Sequence, residues 1–144
     1  MDPREFQTLA SALVNGKTPA EIRTAISRAY YATHNVGVEI LGETGFRTSE
    51  GPGGHGDVWN RLSNCGNNEV MKVGSQLGDL YTMRVHADYR LARKDVENQK
   101  TAQALVEQAN RMIKILDENF SGSKRTQIIK AIKDWEQKVF GGGP

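Results

Sequence analysis

Apolar side chains recur every three or four residues along most of the chain, which is the spacing of one face of an α-helix. Segments with such a row are residues 3–14, 19–41, 57–62, 68–91, 96–120 and 123–140. The alternation of apolar and polar residues that is typical of a β-strand does not occur. The sequence therefore predicts an all-α, up-and-down bundle of about five helices, with helices two, four and five at its centre, plus an extra C-terminal amphipathic helix.

Residues that favour helix ends bound several of these segments. Thr18-Pro19-Ala20-Glu21 predicts a capping box at the start of helix two, which should stop at Gly42. Asp95 is the predicted N-cap of helix five. Each of these residues satisfies or ends backbone hydrogen bonds, so they predict where the helices begin and end.

A glycine-rich segment, residues 42–56, separates helices two and three and is predicted to be a mobile loop. Its sequence GPGGHGD looks superficially like a phosphate cradle, but no Gly-Lys-Ser/Thr and no strand accompany it. Helix three is predicted to start at Asp57, with Trp59 as its anchor. Gly74 and Gly78 in helix four weaken a helix, which predicts the close approach of another helix on that side.

One residue in helix four breaks the apolar pattern. The stripe consists of Val70, Val73, Leu77, Leu80, Arg84, Ala87 and Leu91. A guanidinium on a core-facing stripe is costly unless it meets a carboxylate, a phosphate or several carbonyls. Asp88, one turn further on, is the nearest candidate partner. Arg84 and Asp88 therefore form either a structural ion pair or part of an anion-binding site.

Composition narrows the function classes. The chain of 144 residues has a net charge of only +2, so any nucleic-acid-binding surface must be a local patch. With Cys65 as the one cysteine, no intramolecular disulfide is expected, and a reducing cytoplasm fits best. The charged start of the chain and the lack of a long apolar run also favour a cytoplasmic protein without a membrane segment. Because no His, Cys or carboxylate cluster has metal-ligand spacing, we expect no metal and no other cofactor.

Two segments carry a family resemblance. SRAYYATH (residues 27–34) and MRVHADYR (residues 83–90), with GGHGD between them, resemble the small stand-alone bacterial and archaeal branch of the HEPN superfamily. The resemblance covers roughly residues 18–120. It implies a HEPN-type bundle over residues 1–120, with an extra helix at 123–140 docked on the bundle or on a partner, and a disordered tail at 141–144.

The resemblance also implies two classes of function. Many HEPN proteins are metal-independent endoribonucleases, frequently dimeric toxins of toxin–antitoxin or defence systems, paired with a nucleotidyltransferase-like antitoxin. Others bind a nucleotide or a protein partner without catalysis. Both hypotheses, and with them the question whether the chain is an enzyme, stay open at this point. A homodimer is expected in either case.

For the nuclease hypothesis the predicted catalytic residues are Arg84, His34 and Asp88. Metal-independent RNA cleavage needs a base, an acid and a cation for the charged phosphorane. Arg84 is the predicted cation, His34 the base or acid, and Asp88 the group that orients them. The predicted nucleotide- or RNA-binding residues are Arg28, Tyr30, Tyr81 and Tyr89.

The other two histidines are predicted to lie outside the site. The nuclease branch carries an Arg followed little more than a turn later by a His. Here His86 follows Arg84 by two residues, which places it roughly 200° around the helix, so it is predicted to point away. His55 is predicted to be a loop residue near the start of helix three.

Overall fold

In a computed structural model, the described residues are 1–47, 49 and 51–141. They form six α-helices: α1 (Arg4–Leu13), α2 (Pro19–Gly42), α3 (Gly53–Ser63), α4 (Asn68–Tyr89), α5 (Gln99–Asn119) and α6 (Gly122–Phe140). Asp95–Glu97 form a 3-10 helix before α5. The described part of the chain contains no β-strand, which confirms the predicted all-α bundle. Beyond Gly141, the predicted tail lies outside the described residues.

The hydrophobic core is built around α2, which packs against α1, α4 and α5. Its Ile26, Ala29 and Tyr30 are completely buried. Leu77 and Leu80 of α4 are buried as well, as the apolar stripe predicts. No described helix is long and apolar enough to cross a membrane.

Capping was predicted correctly at α2 and wrongly at α5. The Thr18 hydroxyl accepts a hydrogen bond from the Glu21 backbone N–H at 3.2 Å, and the Glu21 carboxylate accepts one from the Thr18 N–H at 3.3 Å. The α5 N-cap is Asn98, whose side chain accepts from the Thr101 N–H at 3.0 Å, and not Asp95. Asp95 is unavailable because its carboxylate binds the Arg93 guanidinium through two hydrogen bonds of 2.9 Å.

Helix α3 begins at Gly53, four residues before the predicted start at Asp57. Close packing explains the difference, because Gly54 in its first turn is buried. The helix also crosses Gly37 of α2, where an added Cβ would lie 2.8 Å from Val58 Cγ1. Tertiary packing therefore outweighs the low helix propensity of the glycines. As a result His55, predicted to lie in a loop, is on a helix.

The C-terminal end of α4 is held by a buried arginine of α2 that the apolar pattern did not reveal. Arg23 donates to the Glu97 carboxylate, at 3.0 Å from Nε and 2.6 Å from Nη2. It also donates to the carbonyls of His86, Ala87, Arg90, Leu91 and Arg93. These contacts satisfy carbonyls at the end of α4 and in the following turn. They end the helix at Tyr89, so Leu91, predicted to lie on the buried stripe, is 69% exposed.

Helix α6 contacts α3. Its Ile128 and Ile132 are buried, and Glu136 accepts a hydrogen bond from Arg61 Nε at 3.3 Å. The Arg61 guanidinium also lies 3.7 Å from the centre of the Phe46 ring. Val139, predicted to lie on the apolar face of this helix, is 53% exposed.

A methyl group added at either of the two glycines of α4 is expected to change the stability of the protein, but in opposite directions. At Gly74, a Cβ would lie 2.5 Å from Ser63 Oγ and 2.6 Å from the Ser63 backbone nitrogen, which confirms the predicted close approach. Gly74→Ala is therefore expected to lower the free energy of unfolding by about 1–3 kcal/mol, because the α3 backbone must move. At Gly78 the nearest atoms, in the Trp59 ring, are 3.9 Å away.

Gly78→Ala serves as the matched control in the same helix. It is expected to raise the free energy of unfolding by about 0.5–1 kcal/mol through helix propensity alone. Urea unfolding of both variants measures the difference. A Gly74→Ala variant as stable as Gly78→Ala would contradict the tight α3–α4 packing.

Candidate functional site

The guanidinium of Arg84 lies inside a cluster of aromatic rings. Arg84 is 4% exposed, as expected for a residue on the apolar stripe. The sequence contains four tyrosines, and all four surround this one guanidinium. Its Cζ atom is 5.5 Å from the ring centre of Tyr30, 5.2 Å from Tyr31, 5.0 Å from Tyr81 and 5.8 Å from Tyr89. These distances are within the range of cation–π attraction, which holds the cation in place without using its N–H donors.

The polar partners of Arg84 are few for a buried arginine. Its Nη1 lies 3.6 Å from Asp88 Oδ2, the ion pair that the sequence predicted, but this exceeds hydrogen-bond length. Within the described residues, Nε has no hydrogen-bond partner. Asp88 keeps 28% of its side chain exposed and accepts a hydrogen bond from Ser27 at 3.0 Å. Arg23, also buried, binds Glu97 and five carbonyls, so Arg84 differs in retaining unused donors.

Two histidines extend the cluster on the side of α2 and α3. His55 lies in the first turn of α3, and its ring centre is 4.9 Å from that of Tyr81 and 4.9 Å from that of His34. The Tyr30 hydroxyl lies 2.6 Å from His55 Nδ1 and 3.4 Å from His34 Nδ1. Tyr30 therefore connects both imidazoles through a single oxygen.

The surroundings keep these groups uncharged at neutral pH. Burial, followed by the nearby His55 and Arg84, lowers the pKa of His34 from 6.5 to about 4. Burial and then Arg84 lower the pKa of His55 below its usual value. Burial also raises the pKa of the Tyr30 hydroxyl well above 10. At pH 7 both imidazoles are thus neutral and able to accept a proton.

A cavity of about 350 Å³ opens beside this cluster. It is lined by Tyr31, Pro52, His55, Tyr81, Arg84, Val85 and Tyr89. Tyr89 is 66% exposed, so most of its ring faces solvent. The cavity thus combines a cation, a neutral imidazole and aromatic rings, which are suited to a phosphate and the base next to it.

Only some of the predicted site residues line the cavity with Arg84. Tyr81 and Tyr89 line the cavity with it. Tyr30 is completely buried, and His34 is 8% exposed and does not line the cavity, so His34 reaches it only through Tyr30 and His55. Asp88 contacts Arg84 from outside the lining.

Arg28 is half-buried at the edge of the cluster. Its guanidinium carbon lies 4.8 Å from the ring centre of Tyr31 and 5.2 Å from that of Phe6. Its Nη2 donates to Ser27 Oγ at 3.3 Å. The structure therefore places Arg28 and Arg84 against the same Tyr31 ring.

Sequence reasoning missed two residues of the cluster, His55 and Tyr31. Helical spacing places Tyr31 one position away from the predicted row, yet it contacts Arg84. The signal for His55 was its position in GGHGD, between the two motif segments, which helix prediction assigned to a loop. His86 does not line the cavity, and its Nδ1 is buried without a hydrogen-bond partner among the described residues. No group of three or more potential metal ligands is present in residues 1–47, 49 and 51–141.

Comparisons of the chain with protein-family models, curated proteins and solved structures found no match. The HEPN resemblance therefore rests on segments 27–34 and 83–90 and on the GGHGD segment between them. In the structure these two segments meet, because Tyr30 and Tyr31 of the first contact Arg84 of the second. Their contact is a property of this fold whatever the ancestry of the chain.

The lowered pKa of His34 predicts a dependence of stability on pH. The unfolded chain binds a proton on His34 below about pH 6.5, whereas the folded chain does so only below about pH 4. Stability from this residue is therefore full above pH 6.5 and falls as the pH drops towards 4. Over this window the wild type should lose on the order of 3 kcal/mol more than His34→Gln.

Urea unfolding at pH 7.5, 6, 5 and 4 measures this difference, because the carboxylates outside the cluster affect both proteins alike. Between pH 7.5 and 8.5 the two curves should run parallel. Equal losses in both proteins between pH 6.5 and 4 would show that the imidazole is freely hydrated.

Proposed function

We propose that this protein is a metal-independent endoribonuclease whose active site is the cavity between α2, α3 and α4. The observation that carries the proposal is the buried Arg84 guanidinium, whose Nε has no hydrogen-bond partner among the described residues and which lines the same cavity as His55. Natural cores rarely keep an arginine without hydrogen-bond partners unless an anion completes its coordination. A phosphodiester supplies that anion, and its planar O–P–O edge matches the guanidinium fork.

The residues around the cavity have roles in this reaction. His55 accepts the proton of the 2′-hydroxyl, which then attacks the adjacent phosphorus. Arg84 stabilises the extra negative charge on the phosphorane oxygens. The protonated His55 returns its proton to the departing 5′ oxygen, leaving a 2′,3′-cyclic phosphate and a 5′-hydroxyl. The acid–base residue is therefore His55, with His34 in a supporting position.

Tyr30 aligns His55 for this task. When the neutral His55 ring carries its proton on Nδ1, this N–H donates a hydrogen bond to the Tyr30 oxygen, and Nε2 is left free to accept a proton from the substrate. The Tyr30 hydroxyl then donates to His34 Nδ1, for which a neutral His34 is required. The lowered pKa of His34 keeps that acceptor available.

Cleavage of a single-stranded RNA by the purified protein in EDTA tests the proposal. We expect products with 2′,3′-cyclic phosphate ends, and a rate lowered about 10²–10⁴-fold in His55→Ala. His86→Gln is the control, because His86 lies outside the cavity and should keep wild-type activity. Cleavage that requires added Mg²⁺, or that survives His55→Ala, would contradict the assignment.

A second candidate function is a non-catalytic module that holds a nucleotide or a protein partner such as a nucleotidyltransferase. The observation that favours it is the neutral state of both imidazoles, since the resting site then holds no protonated histidine as an acid. This function predicts nucleotide binding without turnover in the same assay. Finding a nucleotidyltransferase gene next to this one would favour the toxin–antitoxin setting. The expected homodimer is tested separately, by measuring the molar mass in solution with light scattering.

A further inference from the structure

We propose that Arg28 and Arg84 form two successive phosphate subsites that share the Tyr31 ring. The ligand class is then single-stranded RNA with at least two consecutive phosphates, rather than a mononucleotide. This inference rests on the proposed function and deepens it, because it defines the minimum substrate and its direction across the protein surface.

The first step is geometric. The guanidinium carbons of Arg28 and Arg84 lie 4.8 Å and 5.2 Å from the centre of the same Tyr31 ring. Arg28 also contacts the ring of Phe6 in α1 at 5.2 Å, so two aromatic residues fix its position. Cation–π contacts use the flat face of a guanidinium and leave the N–H groups at its edge free. Both arginines are therefore held in place with donors available to an anion.

The second step is charge. Arg28 has no carboxylate within salt-bridge distance among the described residues, and its hydrogen bond goes to Ser27. Among the described residues, Asp88 is the one carboxylate near this pair: its Oδ2 lies 3.6 Å from Arg84 Nη1 and accepts a hydrogen bond at 3.0 Å from Ser27, the residue to which Arg28 donates. Two cations therefore share one carboxylate, and the neighbouring imidazoles are neutral at pH 7. The local charge of this group is therefore +1, which favours an anionic ligand.

The third step is the form of the ligand. Half-buried Arg28 lies outside the cavity lining, whereas Arg84 and His55 both line the cavity, and Tyr31 contacts both arginines. A chain with one phosphate on Arg84 therefore reaches Arg28 by passing over Tyr31. Tyr89, with 66% of its surface exposed, offers a ring face on which a base can stack. Bases of a duplex are already stacked and paired, so this arrangement favours a single strand.

Binding of short RNAs at several salt concentrations tests the inference. The ligand is the trinucleotide UpUpU with 2′-O-methyl groups, which cannot be cleaved, and its variants carry a neutral methylphosphonate in place of either phosphate. The proteins are the wild type, Arg28→Gln, Arg28→Lys and, as the control, Arg111→Gln on α5. Arg111 is exposed and paired with Glu107, so its substitution removes the same charge outside the site.

The wild type should lose about tenfold in affinity with either methylphosphonate. Arg28→Gln should bind the unmodified RNA about tenfold more weakly, should be insensitive to one of the two methylphosphonates, and should show a salt slope smaller by about 0.7. Arg28→Lys should keep the wild-type salt slope, as should Arg111→Gln. Because the two methylphosphonate ligands test each phosphate on the wild-type protein, the test stays valid even if Arg28→Gln folds poorly.

The inference is overturned if Arg28→Gln binds like the wild type, or if it weakens all three ligands equally with an unchanged salt slope. The second result would mean that Arg28 only pins α1 to α2 through Phe6. If Arg84→Gln still abolishes binding in either case, the failure concerns the Arg28 subsite alone and does not contradict the proposed function. If the wild type itself binds none of the ligands and Arg84→Gln changes nothing, the proposed function fails together with the subsites.

Discussion

Replacing Arg84 with Met is expected to abolish RNA cleavage while leaving the free energy of unfolding unchanged within about 1 kcal/mol, or raising it. The loss of activity should be at least about 10²–10³-fold, the effect of removing one preorganised donor from a developing negative charge. Steady-state cleavage and urea unfolding of the same preparation measure the two quantities.

The stability part of this prediction follows from the surroundings of Arg84. Its Nε has no partner in the described part of the chain, and its ion pair with Asp88 spans 3.6 Å. Polar contacts this weak do not recover the free energy that the cation loses when it leaves water. Methionine has a similar volume and packs well against aromatic rings. The change does not leave Asp88 as an unpaired buried charge, because this side chain is partly exposed and keeps its hydrogen bond to Ser27.

The opposite outcome is equally informative. A fall of about 3 kcal/mol or more in Arg84→Met would identify the arginine as a structural residue that holds α4 in register. Arg84→Lys separates charge from geometry, because lysine keeps the charge and loses the planar fork. Cleavage should remain strongly reduced in that variant.

Replacing Arg23 with Met is expected to lower the free energy of unfolding by about 3–5 kcal/mol, the cost of breaking a buried charged network. Arg23 is 8% exposed and matches Arg84 in burial, but it binds Glu97 and five backbone carbonyls. Its removal leaves these acceptors without their donor at the end of α4. Thermal and urea unfolding of the two methionine variants, side by side, measure the contrast.

Arg23→Lys is the control for this pair. Lysine keeps the positive charge near Glu97 but has three donors on one atom and cannot reach carbonyls on both sides of the turn. Its stability should fall between those of the wild type and Arg23→Met. Equal stability of Arg23→Met and the wild type would mean that the carbonyls of this turn are satisfied by water.

Much of the fold followed from helical periodicity and from capping residues. The burial of Arg84 followed because a charged residue interrupted an otherwise regular apolar stripe. The capping box at Thr18 was predictable because its hydrogen bonds are local. The N-cap of α5 at Asn98 was not predictable in this way. Asp95 binds Arg93 only after the turn before α5 has formed, and this contact has no sequence pattern.

The rest of the site depended on contacts between segments far apart in sequence. His55 was assigned to a loop because glycine lowers helix propensity, whereas the small volume of glycines at the α2–α3 and α3–α4 contacts is what lets α3 form and pack there. Arg23 lies one position after the apolar Ile22, so no pattern distinguishes it from a surface arginine. Its acceptors are carbonyls, which carry no sequence signature. Their positions depend on where α4 ends, and that is set by the tertiary structure.

The packing of α3 on Gly78 also gives the cavity an optical reporter. The Trp59 ring lies against Gly78 and 5.3 Å from the ring centre of Tyr81, which lines the cavity. The second tryptophan of the chain, Trp135, packs against Phe140 in α6. In a Trp135→Phe variant all indole emission therefore comes from Trp59, which contacts Tyr81 of the cavity lining, and a nucleobase bound in the cavity is expected to change that emission. Occupancy can then be followed by fluorescence titration without labelling the protein or the RNA.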